Sequence, residues 1–205
     1  MDHDIDLKII LLGESQAGKT CITKRVVFDS FEEQGPRTFG VSYCNKDYET
    51  REHQKYRFGF WDTAGEEEYD SLSTFYCRNA GCVLIVYDVT SRASFEGLAR
   101  FIPKIPEAKP DAFLFLIATK IDLVKINPDA RKITQEEGIQ KAKALNAVFL
   151  EVSAKTGENI AILWESIGSR FEKVMAKVPK QIDATKKRIR LKKDANLKKK
   201  KKKCC

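Results

Sequence analysis

Gly13-Glu14-Ser15-Gln16-Ala17-Gly18-Lys19-Thr20 fits G-x-x-x-x-G-K-[ST], the pattern of a loop that cradles phosphates. The apolar run at residues 7–12 in front of it reads as a buried strand. Residues 19 to about 28 behind it read as a helix with Ile22 and Val26 on one face. A tight turn between a strand and a helix aims successive backbone N–H groups and the positive end of the helix dipole at one point, where a phosphate can sit. There Lys19 would neutralise terminal phosphates and the Thr20 hydroxyl would coordinate Mg2+. The plain alternative is a surface turn rich in small residues; the position between strand and helix favours the phosphate loop.

Working outward, the first 175 residues alternate short apolar runs with helical patterns, the signature of an α/β domain with a largely parallel sheet. Residues 42–49 and 55–61 flank a polar break at 50–54. The second run alternates Tyr56, Phe58 and Phe60 with Lys55, Arg57 and Gly59, which predicts a hairpin at the sheet edge. Residues 82–87, 112–118 and 147–152 are near-continuous apolar runs and predict strands covered on both faces. Six strands result. Thr134 and Glu137 fit a capping box ahead of a helix ending near Leu145. Ile160, Leu163, Trp164, Ile167, Phe171 and Val174 recur at helical spacing and predict a final helix with one apolar stripe.

Charge divides the chain. Of 205 residues with a net charge of +8, those from 176 onward carry 14 Lys/Arg against 2 Asp/Glu, leaving 23 against 27 in residues 1–175. The expected organisation is a mildly acidic domain over 1–175 and a disordered polybasic tail over 176–205, too charged to offset its ordering entropy by burial. The apolar runs are far short of the roughly 20 residues that cross a bilayer. Met1 to Lys8 includes Asp2, Asp4 and Asp6, so no secretory signal is expected and the protein reads as intracellular. Cys21, Cys44, Cys77 and Cys82 are irregularly spaced, which predicts buried, reduced thiols. With only His3 and His53, a His-rich metal site and a His-dependent triad are disfavoured.

A phosphate loop alone serves an ATPase, a kinase or a GTPase. Three further motifs each follow a predicted strand: Trp61-Asp62-Thr63-Ala64-Gly65, Thr119-Lys120-Ile121-Asp122 and Ser153-Ala154-Lys155. Taken singly, a Lys-x-Asp is usually solvated loop. Together and in this order they resemble the small GTPases of the Ras superfamily over about residues 5–175. The run Ile85-Val86-Tyr87-Asp88-Val89-Thr90, residues 61–67 and 153–159, and the terminal Cys204-Cys205 are most similar to the Rab branch.

That resemblance implies the G-domain form of the P-loop NTPase fold, a six-stranded mostly parallel sheet flanked by helices. It also implies a switch that binds GTP or GDP with Mg2+ and hydrolyses GTP slowly. The implied nucleotide contacts are Ser15, Gln16, Ala17, Gly18, Lys19, Thr20, Cys21, Phe31, Thr38, Gly65, Thr119, Lys120, Asp122, Ser153, Ala154 and Lys155. Within that set, Asp122 would accept from the N1 and N2 donors of guanine, a donor pair that adenine lacks. Lys120 would lie along the base with Phe31 on its other side, and the Ala154 amide would meet O6. Thr20, Thr38 and Asp62 would hold Mg2+, and Lys19, Thr38, Gly65 and residue 66 would serve hydrolysis. Residues 34–41 and 64–78 would order around the γ-phosphate and release after hydrolysis. The implied partners are an exchange factor, a GTPase-activating protein, effectors and dissociation-inhibitor or escort proteins, with the protein a monomer that binds no nucleic acid. The implied location is the cytoplasmic face of endomembranes, cycling with cytosol, in vesicle trafficking.

Two positions and one segment depart from the family pattern. Glu66 stands where the relatives carry the glutamine that orients the attacking water; it lacks the amide donor and adds negative charge. Altered, partner-insensitive hydrolysis is expected, with the direction of the intrinsic rate open. Thr119 replaces the usual asparagine and keeps one hydroxyl, so guanine binding should survive. The effector segment Phe39-Gly40-Val41-Ser42-Tyr43 is divergent. The six lysines from Lys198 to Lys203 before Cys204 and Cys205 resemble a Rab substrate for double geranylgeranylation. Two lipids plus a basic run meet the two-signal requirement for stable anchoring.

Other function classes make different demands. An ATPase or nucleotide kinase has no use for Asp122. A GTP-dependent membrane adaptor with little or no hydrolysis is motivated by Glu66. A nucleic-acid binder would have to rely on the tail alone.

Overall fold

The computed structural model describes residues 5–33, 35–65 and 70–177. The chain falls into two units, Met1–Gly168 and Ser169–Cys205; the sheet and the candidate site belong to the first. Six strands, β1 (Leu7–Leu12), β2 (Val41–Glu49), β3 (Lys55–Thr63), β4 (Cys82–Asp88), β5 (Phe113–Thr119) and β6 (Val148–Glu151), lie in the order β2-β3-β1-β4-β5-β6. All neighbours are parallel except the β2–β3 hairpin. The helices are α1 (Lys19–Phe28), α2 (Asp70–Cys77), α3 (Arg92–Glu96), α4 (Leu98–Phe101), α5 (Ile121–Ile126), α6 (Gln135–Ala144) and α7 (Ile160–Ala176). No helix among the described residues is long and apolar enough to cross a membrane.

The apolar runs dictate the layering. In β1, Ile9, Ile10, Leu11 and Leu12 are fully buried, and every residue of β4 is buried, because helices cover both faces of these central strands. The third expected two-faced strand differs: all four residues of β6 are half-buried, since β6 is the sheet edge. Cys77 and Cys82 are buried as expected, but Cys21 and Cys44 are only partly so. Cys44 lies on β2, the opposite edge strand, and Cys21 faces the cleft described below. All four remain thiols.

Residues 92–107 have no clean apolar period and received no assignment from sequence. They form α3, α4 and a 3-10 segment Ile102–Glu107. Pro103 and Pro106 fall in that last segment, and each lacks the N–H that an α-helix interior needs. Ser91 caps α3 by accepting from the Ser94 amide. On the hairpin side, Trp164 of α7 meets Tyr48, Phe58 and Phe60 with ring centroids 5.5–6.4 Å apart, which joins the apolar stripe of that helix to the β2–β3 ribbon.

The capping box is present. The Glu137 amide donates to Thr134 Oγ1 at 3.2 Å and the Thr134 amide donates to Glu137 Oε2 at 2.9 Å. Arg92 Nη1 also donates to Glu137 Oε1 at 2.6 Å. The Arg92 bond, followed by the Thr134 amide, lowers the Glu137 carboxyl from 4.5 to about 2. Its contribution to stability is therefore present above pH 4.5 and is lost as pH falls toward 2. Glu137→Gln is expected to be less stable than the parent at pH 7 and to lose less on acidification from 4.5 to 2.5, as urea titrations at the three pH values will read.

Candidate functional site

Parallel strands deliver their following loops to one edge of the sheet. The carboxyl ends of β1, β3, β4 and β5 lie side by side there, with Leu11 opposite Asp62, Leu12 opposite Ile85 and Asp88 opposite Thr119. The antiparallel β2 starts at the same edge, with Val41 opposite Thr63. Between these ends lies a cleft of about 520 Å³, lined by the phosphate loop, Phe31, Thr38, residues 63–65, Thr119, Lys120, Asp122, Ala154 and Lys155.

The loop must carry glycine at both ends. A Cβ on Gly13 would lie 2.1 Å from the Val86 carbonyl oxygen, and Gly18 precedes α1 at φ 95° with no side-chain cap. The opening turn of α1 thus presents amides that no capping side chain satisfies, facing the cleft. The Lys19 side chain folds back over the loop, its Nζ donating to the Gly13 and Glu14 carbonyls at 2.8 Å each. Burial lowers its pKa to about 8, against the pull of Asp62 and Glu14. A buried ammonium that has lost most of its water is a strong point of attraction for an anion.

Beside it, Thr20 Oγ1 donates to Asp62 Oδ2 at 2.6 Å and lies 2.9 Å from Thr38 Oγ1, which is 3.5 Å from the same carboxylate oxygen. Among the described residues, Asp62 Oδ1 is buried with no hydrogen-bond partner. Burial is the largest influence on this carboxyl and raises its pKa, opposed by the Thr20 hydrogen bond and the Lys19 charge. An orphaned carboxylate oxygen beside two hydroxyls suits a hard cation such as Mg2+, which takes few protein oxygens and keeps phosphate and water for the rest. Among the described residues no cluster of three His, Cys, Asp or Glu offers an all-protein metal cage.

At the other end of the cleft, Asp122 lies in the first turn of α5 with Oδ1 accepting from Ser153 Oγ at 2.6 Å, which fixes the plane of its carboxylate. Lys120, at φ 63°, pairs with Asp88 at 2.8 Å. The Thr119 hydroxyl lies 2.7 Å from the Ala17 carbonyl oxygen and 3.1 Å from that of Tyr87, so this side chain ties the phosphate loop to β4. The family model described as Ras family matches residues 8–173.

The chain belongs to the Ras family.

It is also 33% identical over 167 residues to the Ras-related protein Rab-24 of Dictyostelium discoideum, covering 82% of this chain and 81% of that one. It is 33% identical over 168 residues to the GTP-binding protein ypt5 of Schizosaccharomyces pombe, covering 82% and 78%. It is thus a Rab-like small GTPase by family, and Ras-family GTPases bind GTP and GDP, usually with Mg2+.

In this Rab-like chain the fold brings the separated motifs together. Ser15, Gln16, Gly18, Lys19, Thr20, Cys21, Phe31, Thr38, Gly65, Thr119, Lys120, Asp122, Ala154 and Lys155 all line the one cleft. Ala17 and Ser153 stand fully buried behind its wall, one accepting from Thr119 and the other orienting Asp122. Asp62 is reached through Thr20. Glu66, Cys204 and Cys205 lie outside the described residues. Arg25 was not foreseen: it donates to the Ala154 carbonyl at 2.7 Å and the Lys155 carbonyl at 3.1 Å, holding that loop to α1. No local pattern could reveal a partner 129 residues away.

Thr119→Val keeps the shape and removes the hydroxyl, whose one proton serves the nearer Ala17 carbonyl at 2.7 Å, leaving that buried carbonyl short of a donor. Its stability by urea titration of nucleotide-free protein is expected to fall by about 1–3 kcal/mol. For Lys19 the folded pKa lies below the ordinary 10.5, so between about pH 8 and 10.5 the unfolded chain binds the extra proton and this group's contribution to stability rises with pH. The stability of the parent minus that of Lys19→Met, both nucleotide-free, is expected to increase from pH 7 to pH 10.

Proposed function

We propose that this protein is a Rab-type molecular switch that binds GTP or GDP with Mg2+, hydrolyses GTP slowly and recruits effectors to an intracellular membrane. The supporting observation is one cleft with a fixed carboxylate at one end and, at the other, a buried lysine beside an orphaned carboxylate oxygen and two threonine hydroxyls. In this reading Asp122 selects guanine, because an adenine edge would leave the carboxylate unpaired. Phe31 and Lys120 sandwich the base and the Ala154 amide meets its O6. The loop amides and Lys19 bind the phosphates, while Thr20, Thr38 and Asp62 hold Mg2+. That ion supplies charge neutralisation at the phosphate oxygens.

Thr38 and Gly65 report the γ-phosphate. Their segments touch: the Ala64 amide donates to the Gly40 carbonyl at 2.8 Å, directly beside the β2–β3 pairing. Phe39, Tyr43 and Phe75 are 79%, 48% and 59% exposed, an apolar surface suited to an effector that reads both segments. The G domain is taken as residues 1–175. The tail over 176–205, with lipids on Cys204 and Cys205, would bind the cytoplasmic face of endomembranes. The same reading includes the exchange factor, GTPase-activating protein and escort expected of the family, and a monomeric protein.

Glu66 favours a second reading, a GTP-dependent adaptor with little hydrolysis, because it lacks the amide that would orient water. Titration calorimetry is expected to give tight GDP binding and negligible ADP binding; equal binding of both would sink the guanine reading. Single-turnover phosphate release from the parent and Glu66→Gln, with and without an activator domain, separates switch from adaptor. Activator-sensitive release by the variant and activator-insensitive release by the parent are expected, and indistinguishable rates in both settings would remove any special role for Glu66.

A further inference from the structure

Arg100 of α4 lies outside every motif that the nucleotide reading uses, yet it reaches two of them. Its Nη2 donates to the Gly65 carbonyl and lies 3.4 Å from Glu14 Oε2 in the phosphate loop. The pair is largely shielded, with 22% and 25% of the two side chains exposed. Two glycines flank the pair. A Cβ on Gly97 would lie 2.4 Å from Glu14 Oε1, so the Glu14 side chain rests on the bare Cα at the α3–α4 junction. A Cβ on Gly65 would lie 2.3 Å from the Ser15 nitrogen and 2.4 Å from the Glu14 carbonyl carbon, so Gly65 already sits on the loop backbone. The Glu14 main chain is also committed, because its carbonyl accepts from Lys19.

We infer that Arg100 is a positioning residue that seats Gly65 on the phosphate loop and neutralises Glu14, so that this protein favours the triphosphate over the diphosphate. Two effects act together. An arginine bound to the Gly65 carbonyl restricts that residue before ligand arrives, which lowers the ordering cost of docking it on a γ-phosphate. Without the Arg100 charge beside it, the Glu14 carboxylate at the phosphate loop would oppose more strongly the ligand that carries the additional phosphate charge. The charges of Glu14 and Arg100 are both felt at Lys19, in opposite directions. Both contacts are made from the one nitrogen Nη2, and a rigid planar guanidinium holds that nitrogen in place better than a flexible, more strongly hydrated ammonium would.

This inference rests on the guanine-nucleotide reading and is tested on the full chain with Mg2+, by the ratio of affinities for a non-hydrolysable GTP analogue and GDP. Arg100→Met is expected to weaken the analogue about tenfold, the size of one lost hydrogen bond to a charged group, with GDP changed less than about twofold. Adding Glu14→Gln to that variant should recover part of the loss, because the opposing carboxylate charge is gone. Arg100→Lys keeps the charge and is expected to cost about threefold in the same ratio; it carries the test if Arg100→Met does not fold. Equal weakening of both nucleotides, or an unchanged ratio in whichever variant folds, would overturn the role of Arg100. Failure of the parent to bind GDP would instead overturn the nucleotide reading itself.

Discussion

The ammonium of Lys19 is buried, and the chain around it is arranged to make that burial tolerable. Two carbonyls of its own loop accept its protons, Asp62 and Glu14 supply negative charge, and Arg100 in turn balances Glu14. Full compensation within the protein would leave nothing for a ligand. The compensation is partial, as the lowered pKa records, and the shortfall is what a phosphate can supply. Asp62 shows the same economy with the opposite sign: one oxygen is bonded to threonine and the other has no partner among the described residues. The two unsatisfied charges lie close enough to act on each other and too deep to be relieved by bulk water.

The sheet makes this possible. Because β1, β3, β4, β5 and β6 run parallel, their ends converge, and four motifs separated by up to about 140 residues meet along one edge. Residues behind the wall then fix what the lining residues present. Ser153 sets the Asp122 carboxylate, Thr119 braces the loop at Ala17, and Arg25 holds the backbone of the Ala154 loop.

Much of this was legible in the sequence because the signals are local. Strands β4 and β5 are apolar up to their last residue and β1 is broken only by Lys8, the phosphate loop occupies eight consecutive positions, and the Thr134–Glu137 box acts over one turn. Where relationships are long-range the sequence was silent. It could not show that β6 is an edge, because an apolar run looks alike with one neighbour or two. It could not show that the Thr119 hydroxyl would spend itself on Ala17 and Tyr87, or that Arg25 and Arg100 would find carbonyls far along the chain. Residues 92–107 escaped because two short helices and a proline-containing 3-10 turn leave no stretch long enough for a period to emerge.

The hairpin that joins the Thr38 and Gly65 segments has a mechanical consequence. Nine cross-strand pairs, from Val41 opposite Thr63 to Glu49 opposite Lys55, lock β2 to β3, and a slip of one residue would turn the half-buried side of β2 outward. The two strands therefore cannot slide past one another to transmit a signal. Its two strands act as a stiff ruler that holds the roots of both segments at constant separation. A change of ligand can be expressed only beyond those roots, or by the ribbon tilting as one piece about the aromatic seam at Trp164.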